Sequence, residues 1–235
     1  MADRAATRGV VAGLIVLLAA CASNAPAPPG SDLQASGDLP EGYYRRLLAK
    51  GKPVFRVDPA GSLVVMEVRR RGALAQLGHD HIVASRDIAG YVAPDEGRAD
   101  FQVPLNSLVV DEPALRTEAG FDTEPSAADI ADTRRNMLEK VLETDRHPEA
   151  LIAVSAGPAD ADPQQFRIAI TLHGTTRTVD AVAQVVKGTD EVTVTGTTAI
   201  DQSWFGITPL SLLGGAVAVQ DRVNIRFRMR ARRIP

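Results

Sequence analysis

The sequence predicts an all-β protein, an antiparallel β-barrel with one amphipathic helix at about residues 126–145. Many short segments alternate apolar and polar residues with the period of two that places one face of a strand inside and one in solvent. Turn signals separate these segments, and no series of long helices alternates with them, which excludes parallel βαβ units. Closing this many strands into a barrel removes the exposed sheet edges.

The last strand shows the alternation most clearly. In RVNIRFRMRARR (222–233), one face carries Val223, Ile225, Phe227, Met229 and Ala231, and the other carries Asn224, Arg226, Arg228, Arg230 and Arg232. Other predicted strands lie at 62–70, 87–93, 98–110, 165–174, 178–186 and 191–200. We expect Val64, Met66 and Val68 to point inward and to form part of an apolar wall. Pro104 predicts an edge, a bulge or a break into two short strands within 98–110.

The helix at about 126–145 has recognisable ends. Ser126 is a plausible N-cap with Asp129 three residues later, and Pro148 prevents continuation. Its apolar stripe falls at the helical period and is expected to cover one end of the barrel. The stripe consists of Ile130, Met137, Leu138, Val141 and Leu142. A shorter helix is expected within 41–51.

The N-terminus has the pattern of an exported lipoprotein. Residues 1–20 combine Arg4 and Arg8 with an apolar run that is too short to span a bilayer, as in a secretory signal peptide. The run ends in Leu-Ala-Ala-Cys, which resembles the lipobox of bacterial lipoprotein precursors and implies that Cys21 is the lipid attachment site. We predict an acylated cysteine, a disordered tether and a short helix over 21–52, and the barrel domain over 53–235. The expected location is the periplasmic side of the outer membrane.

Composition argues against several functions. Without residues 1–20 the chain has a net charge of −4, and aromatic residues make up only 4%, so neither a nucleic-acid footprint nor a stacking platform is expected. Cys21 is the one cysteine, which leaves no thiol nucleophile if it is acylated. No Gly-x-Ser-x-Gly elbow, phosphate loop or dinucleotide fingerprint is present, and we expect no catalytic residues and no enzyme activity.

Arginines are concentrated on the final strand. They are Arg222, Arg226, Arg228, Arg230, Arg232 and Arg233. The expected explanation is a solvated face that pairs with acids on neighbouring strands, and the alternative is contact with an anionic lipid surface.

Two of the four histidines lie in LGHDHIV, at His79 and His81. Their i, i+2 spacing on extended backbone places both on one face. One hypothesis is that His79 and Asp80 hydrogen-bond backbone groups and fix a turn. A second is a metal site for zinc or another transition metal, with His173 and an acid such as Asp80 as further ligands. A third is that histidines at the barrel mouth hold the polar end of a ligand. His147 is expected to be exposed.

Four segments in order resemble the YceI-like family: FRVDPAGSLVVMEVRR with GHDHIV, DTRRNMLEKVLETDRHPEALI, FRIAITLHGTTRTV, and IDQSWFGI. The resemblance covers about residues 54–232. It implies an extended lipocalin-like antiparallel barrel in the bacterial cell envelope, in a family in which some members enclose a polyisoprenoid lipid. We therefore expect a lipid-anchored protein that binds a lipid or isoprenoid without a cofactor. The alternative is a metal- or haem-binding periplasmic lipoprotein that uses His79, His81 and His173.

Overall fold

The computed structural model describes residues 38–157 and 163–235. The predicted signal peptide, Cys21 and most of the predicted tether lie outside the described residues. Among the residues that are described, no helix combines the length and apolar character needed to cross a membrane.

Twelve strands and three α-helices are formed by the described residues. The strands are β1 (Phe55–Val57), β2 (Leu63–Arg71), β3 (His81–Ser85), β4 (Ala89–Ala93), β5 (Arg98–Pro104), β6 (Val109–Val110), β7 (Glu149–Ala156), β8 (Gln164–Leu172), β9 (Thr175–Lys187), β10 (Glu191–Asp201), β11 (Ser211–Leu212) and β12 (Val217–Arg233). The helices are α1 (Glu41–Ala49), α2 (Pro113–Ala119) and α3 (Ala127–Asn136), and α3 continues as a π-helical turn, Met137–Val141.

The strands form one closed antiparallel barrel, which confirms the predicted fold class. It has eight staves, each of which is either one long strand or two short strands that follow one another. Three staves are interrupted and consist of β1 with β2, β3 with β4, and β5 with β6, and the other five are β7, β8, β9, β10 and β12. Closure occurs at β12. One edge of β12 pairs with β10, and the other pairs with β2 and then with β1.

Short turns account for the interruptions. Between β1 and β2, the Asp58 carboxylate accepts the N–H of Ala60 and closes a 3-10 turn that contains Pro59. Pro104 ends β5, and β6 begins only at Val109, so the predicted break into two short strands is confirmed. The sequence did not predict α2.

The helix at 127–141 begins as predicted. Ser126 and Asp129 form a capping box, in which the Ser126 hydroxyl accepts the Asp129 N–H at 3.2 Å. Ile130, Met137 and Leu142 pack against apolar residues of the barrel interior, so the helix covers one end of the barrel. We call this end, with the β8–β9 turn, the helix end, and the opposite end, with the β4–β5 and β9–β10 turns, the hairpin end.

The arginine face pairs with acids, as expected for a solvated row. Arg222 lies 3.6 Å from Asp201, and Arg226 makes a bidentate pair with Glu118 of α2. Asp58 accepts from both Arg230 and Arg232, at 2.5 and 2.9 Å. The paired acids lie on a neighbouring strand, in the β1–β2 turn and on α2.

Gly196 allows an aromatic ring to lie against the barrel wall. It faces inward on β10, opposite Phe227 of β12 and Ala183 of β9. A Cβ at Gly196 would lie 2.8 Å from the Phe227 ring and 2.7 Å from Ala183 Cβ. These distances are below van der Waals contact, so any larger residue must displace the ring or a strand.

We predict that Gly196→Ala lowers the free energy of unfolding by about 1–3 kcal/mol, the usual cost of overpacking. Chemical denaturation measures the free energy of unfolding of the native protein and of each variant. Thr195→Ala is the control, because Thr195 is the exposed neighbour on the same strand and should change stability by less than about 0.5 kcal/mol. Equal effects of the two substitutions would contradict the steric argument.

Candidate ligand cavity and histidine clusters

An apolar cavity runs along the barrel axis. The volume open to the centre of a water molecule is about 290 Å³, and polar atoms contribute little to the lining. Binding sites for small molecules begin at about 300 Å³, so the cavity approaches that size without any rearrangement. Its wall comes from the inward positions of nearly every strand, including Val64, Met66, Phe101, Ile152, Val154, Phe166, Ile168, Ile170, Val194, Ile225, Phe227 and Met229.

The two ends of the cavity differ. At the helix end, Leu105 and Leu108 are buried, and Leu142 and Leu172 complete the lining. At the hairpin end, the lining includes the exposed Lys187 and the partly exposed Arg98 and Val185. In the described part of the chain, the cavity is therefore closed by the helix and opens at the hairpins.

Polar side chains at the open end include Gln164 and Lys187. The Arg98 guanidinium lies on the outer face of the wall, over the Tyr43 ring of α1. Its Nε is 2.8 Å from Oδ2 of the buried Asp100, which also accepts the Tyr44 hydroxyl at 2.6 Å. Burial and this hydrogen bond raise the pKa of Tyr44 well above its usual range. Lys187 is exposed at this end. A long apolar interior with a polar rim suits an elongated amphiphile with its polar end at the rim.

The residues predicted to bind ligand fall in three places. Val64 and Met66 line the cavity as expected. Val68 also packs against the barrel interior, but it does not reach the cavity. His79, His81 and His173 do not line the cavity either. Their positions therefore do not support the hypothesis that histidines hold the polar end of a ligand at the open end.

His81 is bound inside a charged cluster. Its Nδ1 lies 2.6 Å from Asp111 Oδ2, and the fully buried Asp111 carboxylate also accepts the N–H of Ile82. Arg116 of α2 pairs with Asp111 at 2.6 Å and donates to the Asp80 carbonyl oxygen. The Asp80 carboxylate accepts the N–H of Arg70 at 2.8 Å. The hypothesis that side-chain hydrogen bonds fix this turn therefore holds for Asp80, with His81 rather than His79 as the paired histidine.

The Asp111 carboxyl group is held ionised. Burial by itself would raise its pKa, but the hydrogen bonds from His81 and from the Ile82 N–H, together with Arg116, outweigh burial and lower the pKa below its ordinary value. Asp111 also has a left-handed backbone, with φ of 57°. Only the packed structure explains such a backbone at a non-glycine residue.

The other two histidines form a separate pair. His173 lies in the β8–β9 turn, and its ring centroid is 4.5 Å from that of His147. His147 is therefore partly buried, and the expectation that it is exposed was wrong. The helical segment ends at Val141, four residues before the predicted end, and the left-handed backbone of Glu143, rather than Pro148, stops it. The turn that follows folds back toward β8.

Sequence reasoning missed Asp111, Arg116 and Glu143. Asp111 lies two residues before α2, which the sequence did not predict, and Arg116 lies on that helix. Glu143 directly follows the apolar stripe of the helix, and nothing in the sequence pattern distinguishes it from a solvent-facing charge. A hint for Asp111 was its position between a Val-Val strand and Glu112-Pro113, where an acid accepts backbone hydrogen bonds.

A closed antiparallel barrel with an apolar interior defines the lipocalin-like class of binding barrel. The family model described as "YceI-like domain" matches residues 55–231. The chain belongs to the YceI-like family. A comparison with curated protein sequences gave no match.

Solved structures share the fold. BcnA from Burkholderia cenocepacia has a TM-score of 0.54 and 17% identity, and the match covers 74% of this chain and 98% of that one. A polyisoprenoid binding domain from Saccharophagus degradans, implicated in plant cell wall breakdown, has a TM-score of 0.55 and 14% identity. That match covers 78% of this chain and all of the other (100%). At these identities the likeness establishes the fold.

We predict that Asp111→Asn destabilises the protein by about 3–5 kcal/mol at pH 7, because it leaves Arg116 buried beside a neutral amide. Asparagine tolerates the left-handed backbone, so the loss reports the charge. The pKa of Asp111 is lower in the folded than in the unfolded protein, so its ionisation stabilises the fold. This contribution is complete at pH values above the unfolded-state pKa of about 3.9, and it disappears as the pH falls through the folded-state pKa.

Chemical denaturation from pH 7 to pH 3 measures this prediction. The difference in the free energy of unfolding between the native protein and Asp111→Asn should be largest near neutral pH and should become smaller below about pH 4. Asp180→Asn is the control, because the Asp180 side chain is 85% exposed. A gap that stays constant with pH would contradict a role for the Asp111 charge.

Proposed function

We propose that the protein is a cell-envelope binding module that encloses an elongated apolar ligand, a lipid or isoprenoid, in its barrel for carriage or sequestration. The observation that carries the proposal is the apolar cavity, which extends from the helix end to the open hairpin end. Each CH₂ group that the cavity takes from water contributes about 0.8 kcal/mol, so affinity grows with the length of the enclosed chain.

Two further observations support a binding module rather than an enzyme. The polar residues at the cavity are few, namely Ser85, Arg98, Gln164, Lys187, Thr198 and Arg230. No nucleophile with an adjacent base faces the lumen among the described lining residues. The Saccharophagus degradans relative with the same fold is described as polyisoprenoid binding. Ligand binding by burial requires no cofactor.

We also propose that Cys21 carries acyl chains that anchor the barrel to the periplasmic side of the outer membrane. The lipobox-like Leu-Ala-Ala-Cys sequence and the Pro- and Ser-rich stretch after it support this. Two or three acyl chains give a stable anchor, whereas one chain binds reversibly. A tethered barrel can take up a ligand from the membrane surface beside it.

We predict that Val154→Phe reduces ligand content. The added ring would fill part of the lumen, and each excluded CH₂ lowers the affinity about fourfold. Native mass spectrometry of protein purified without delipidation measures the fraction that carries a ligand. Val186→Phe is the matched control, because Val186 is 70% exposed on the outer face of β9 and should leave the ligand content unchanged.

The native protein should show a bound ligand mass in this experiment. Absence of any such mass, or the same ligand content in Val154→Phe and the native protein, would contradict enclosure in the cavity.

We predict that Cys21→Ser moves the protein from the membrane fraction to the soluble fraction. It should also remove the mass of the acyl chains from the mature protein, because serine has no thiol for thioether formation. Cell fractionation and intact-protein mass spectrometry measure these outcomes, and Ser23→Ala is the control. A variant that remains in the membrane fraction would show that another feature holds the protein there.

A further inference from the structure

Three side chains that commonly bind metals converge at the helix end of the barrel. Glu143, His147 and His173 each place one potential ligand atom so that the three atoms lie within 4.8 Å of one another. The Nε2 of His173 is 3.8 Å from Glu143 Oε1, and the two imidazole rings pack with centroids 4.5 Å apart. All three residues are partly buried.

Two tight turns bring these residues together. Glu143 has a left-handed backbone with φ of 47°, and its carbonyl oxygen accepts the N–H groups of Arg146 and His147 at 2.8 and 3.0 Å. His173 and Gly174 form the two-residue β8–β9 turn, with φ of 52° and 71°. A Cβ on Gly174 would lie 3.2 Å from the His147 ring, so glycine leaves room for that imidazole.

One polar atom of the cluster lacks a hydrogen-bond partner among the described residues. His173 Nε2 is buried and has no hydrogen-bond partner among the described residues. Arg146 pairs with Glu143 Oε2, which leaves Oε1 on the side of His173. A buried polar atom without a partner destabilises the fold, and a bound cation would remove that penalty for an unprotonated imidazole nitrogen.

We propose that Glu143, His147 and His173 bind a divalent transition-metal ion such as Zn²⁺. Two imidazoles and one carboxylate provide three ligands of a tetrahedral zinc site, with a water molecule as the fourth. Ligand atoms in such a site are about 3.3 Å apart, close to the 3.8 Å between His173 and Glu143. Small side-chain rotations would complete the geometry.

The histidines of the GHDH turn are less suited to a metal. His81 Nδ1 is already bonded to the Asp111 carboxylate, and its ring centroid is 6.1 Å from that of His79. Within the described residues, Glu143, His147 and His173 form the one group of three or more ligand-type residues close enough to share an ion. The predicted ligand His173 therefore belongs with His147 and not with His79 and His81.

A metal here would connect the two elements that close the cavity. Leu142 and Leu172 line its closed end, and each directly precedes a proposed ligand, Glu143 and His173. The ion would join the end of the helical segment to the β8–β9 turn. Because it would bind the folded state, it would stabilise that state by an amount that rises with the logarithm of its free concentration above the Kd, whether or not a ligand fills the barrel.

The test is titration of the metal-stripped protein, purified without a histidine tag, with ZnCl₂ at pH 7.5. Calorimetry should show one ion per chain, and Zn²⁺ should raise the Tm. His173→Asn should weaken Zn²⁺ binding by more than about 100-fold, because it removes a direct ligand rather than an outer-shell partner. Asparagine tolerates the left-handed turn position, so the β8–β9 turn is preserved.

His79→Asn is the matched control, since it removes an imidazole outside the cluster and should leave the Zn²⁺ affinity unchanged. If circular dichroism shows that His173→Asn is unfolded, Glu143→Gln decides, with the same expected loss of affinity. The proposal is overturned if the native protein binds no stoichiometric Zn²⁺. It is also overturned if a folded His173→Asn or Glu143→Gln binds as tightly as the native protein, or if His79→Asn abolishes binding.

Discussion

The pairing of β12 with strands on both of its edges is the constraint on which the rest of the structure depends. Over its 17 residues, β12 pairs with β10 on one side and with β2 and β1 on the other, which closes the sheet. Closure satisfies the backbone groups that an open edge would expose. Register is equally constrained, because a slip by one residue would turn the arginine face inward and the apolar face outward.

An open interior has an energetic cost, and packing on the outside of the wall compensates for it. Side chains around a cavity lack contact partners on one side, so they contribute less dispersion energy than those of a filled core. Elsewhere the outer face is covered. Under α2, Leu115 packs on Val65, Ile82 and Ala84, and under α1, Tyr44 and Leu47 pack on Val54 and Ala93. The helices outside the barrel thus supply packing that the side chains around the cavity lack.

The four histidines show how surroundings decide what a residue type does. His81 is bound by a buried carboxylate that an arginine also neutralises, so its imidazole is part of the framework that holds α2 to β3. His147 and His173 face one another and a partly exposed carboxylate, and His173 Nε2, like His79 Nδ1, has no hydrogen-bond partner among the described residues. In the first cluster the carboxylate is already neutralised by protein groups. In the second, side chains that could bind an ion lie close together.

The sequence by itself determined the barrel, the inward face of β12 and β2, the capped helix and its position over one end. These features follow from local periodicity and capping, which each segment carries in its own residues. The tertiary structure decided the rest. Asp111 reaches His81 across 30 positions, Gly196 accommodates a ring from another strand, and Glu143 meets His173 only because two left-handed turns converge. Contacts between distant positions depend on strand register and on turn geometry, and neither can be derived from the pattern of a single segment.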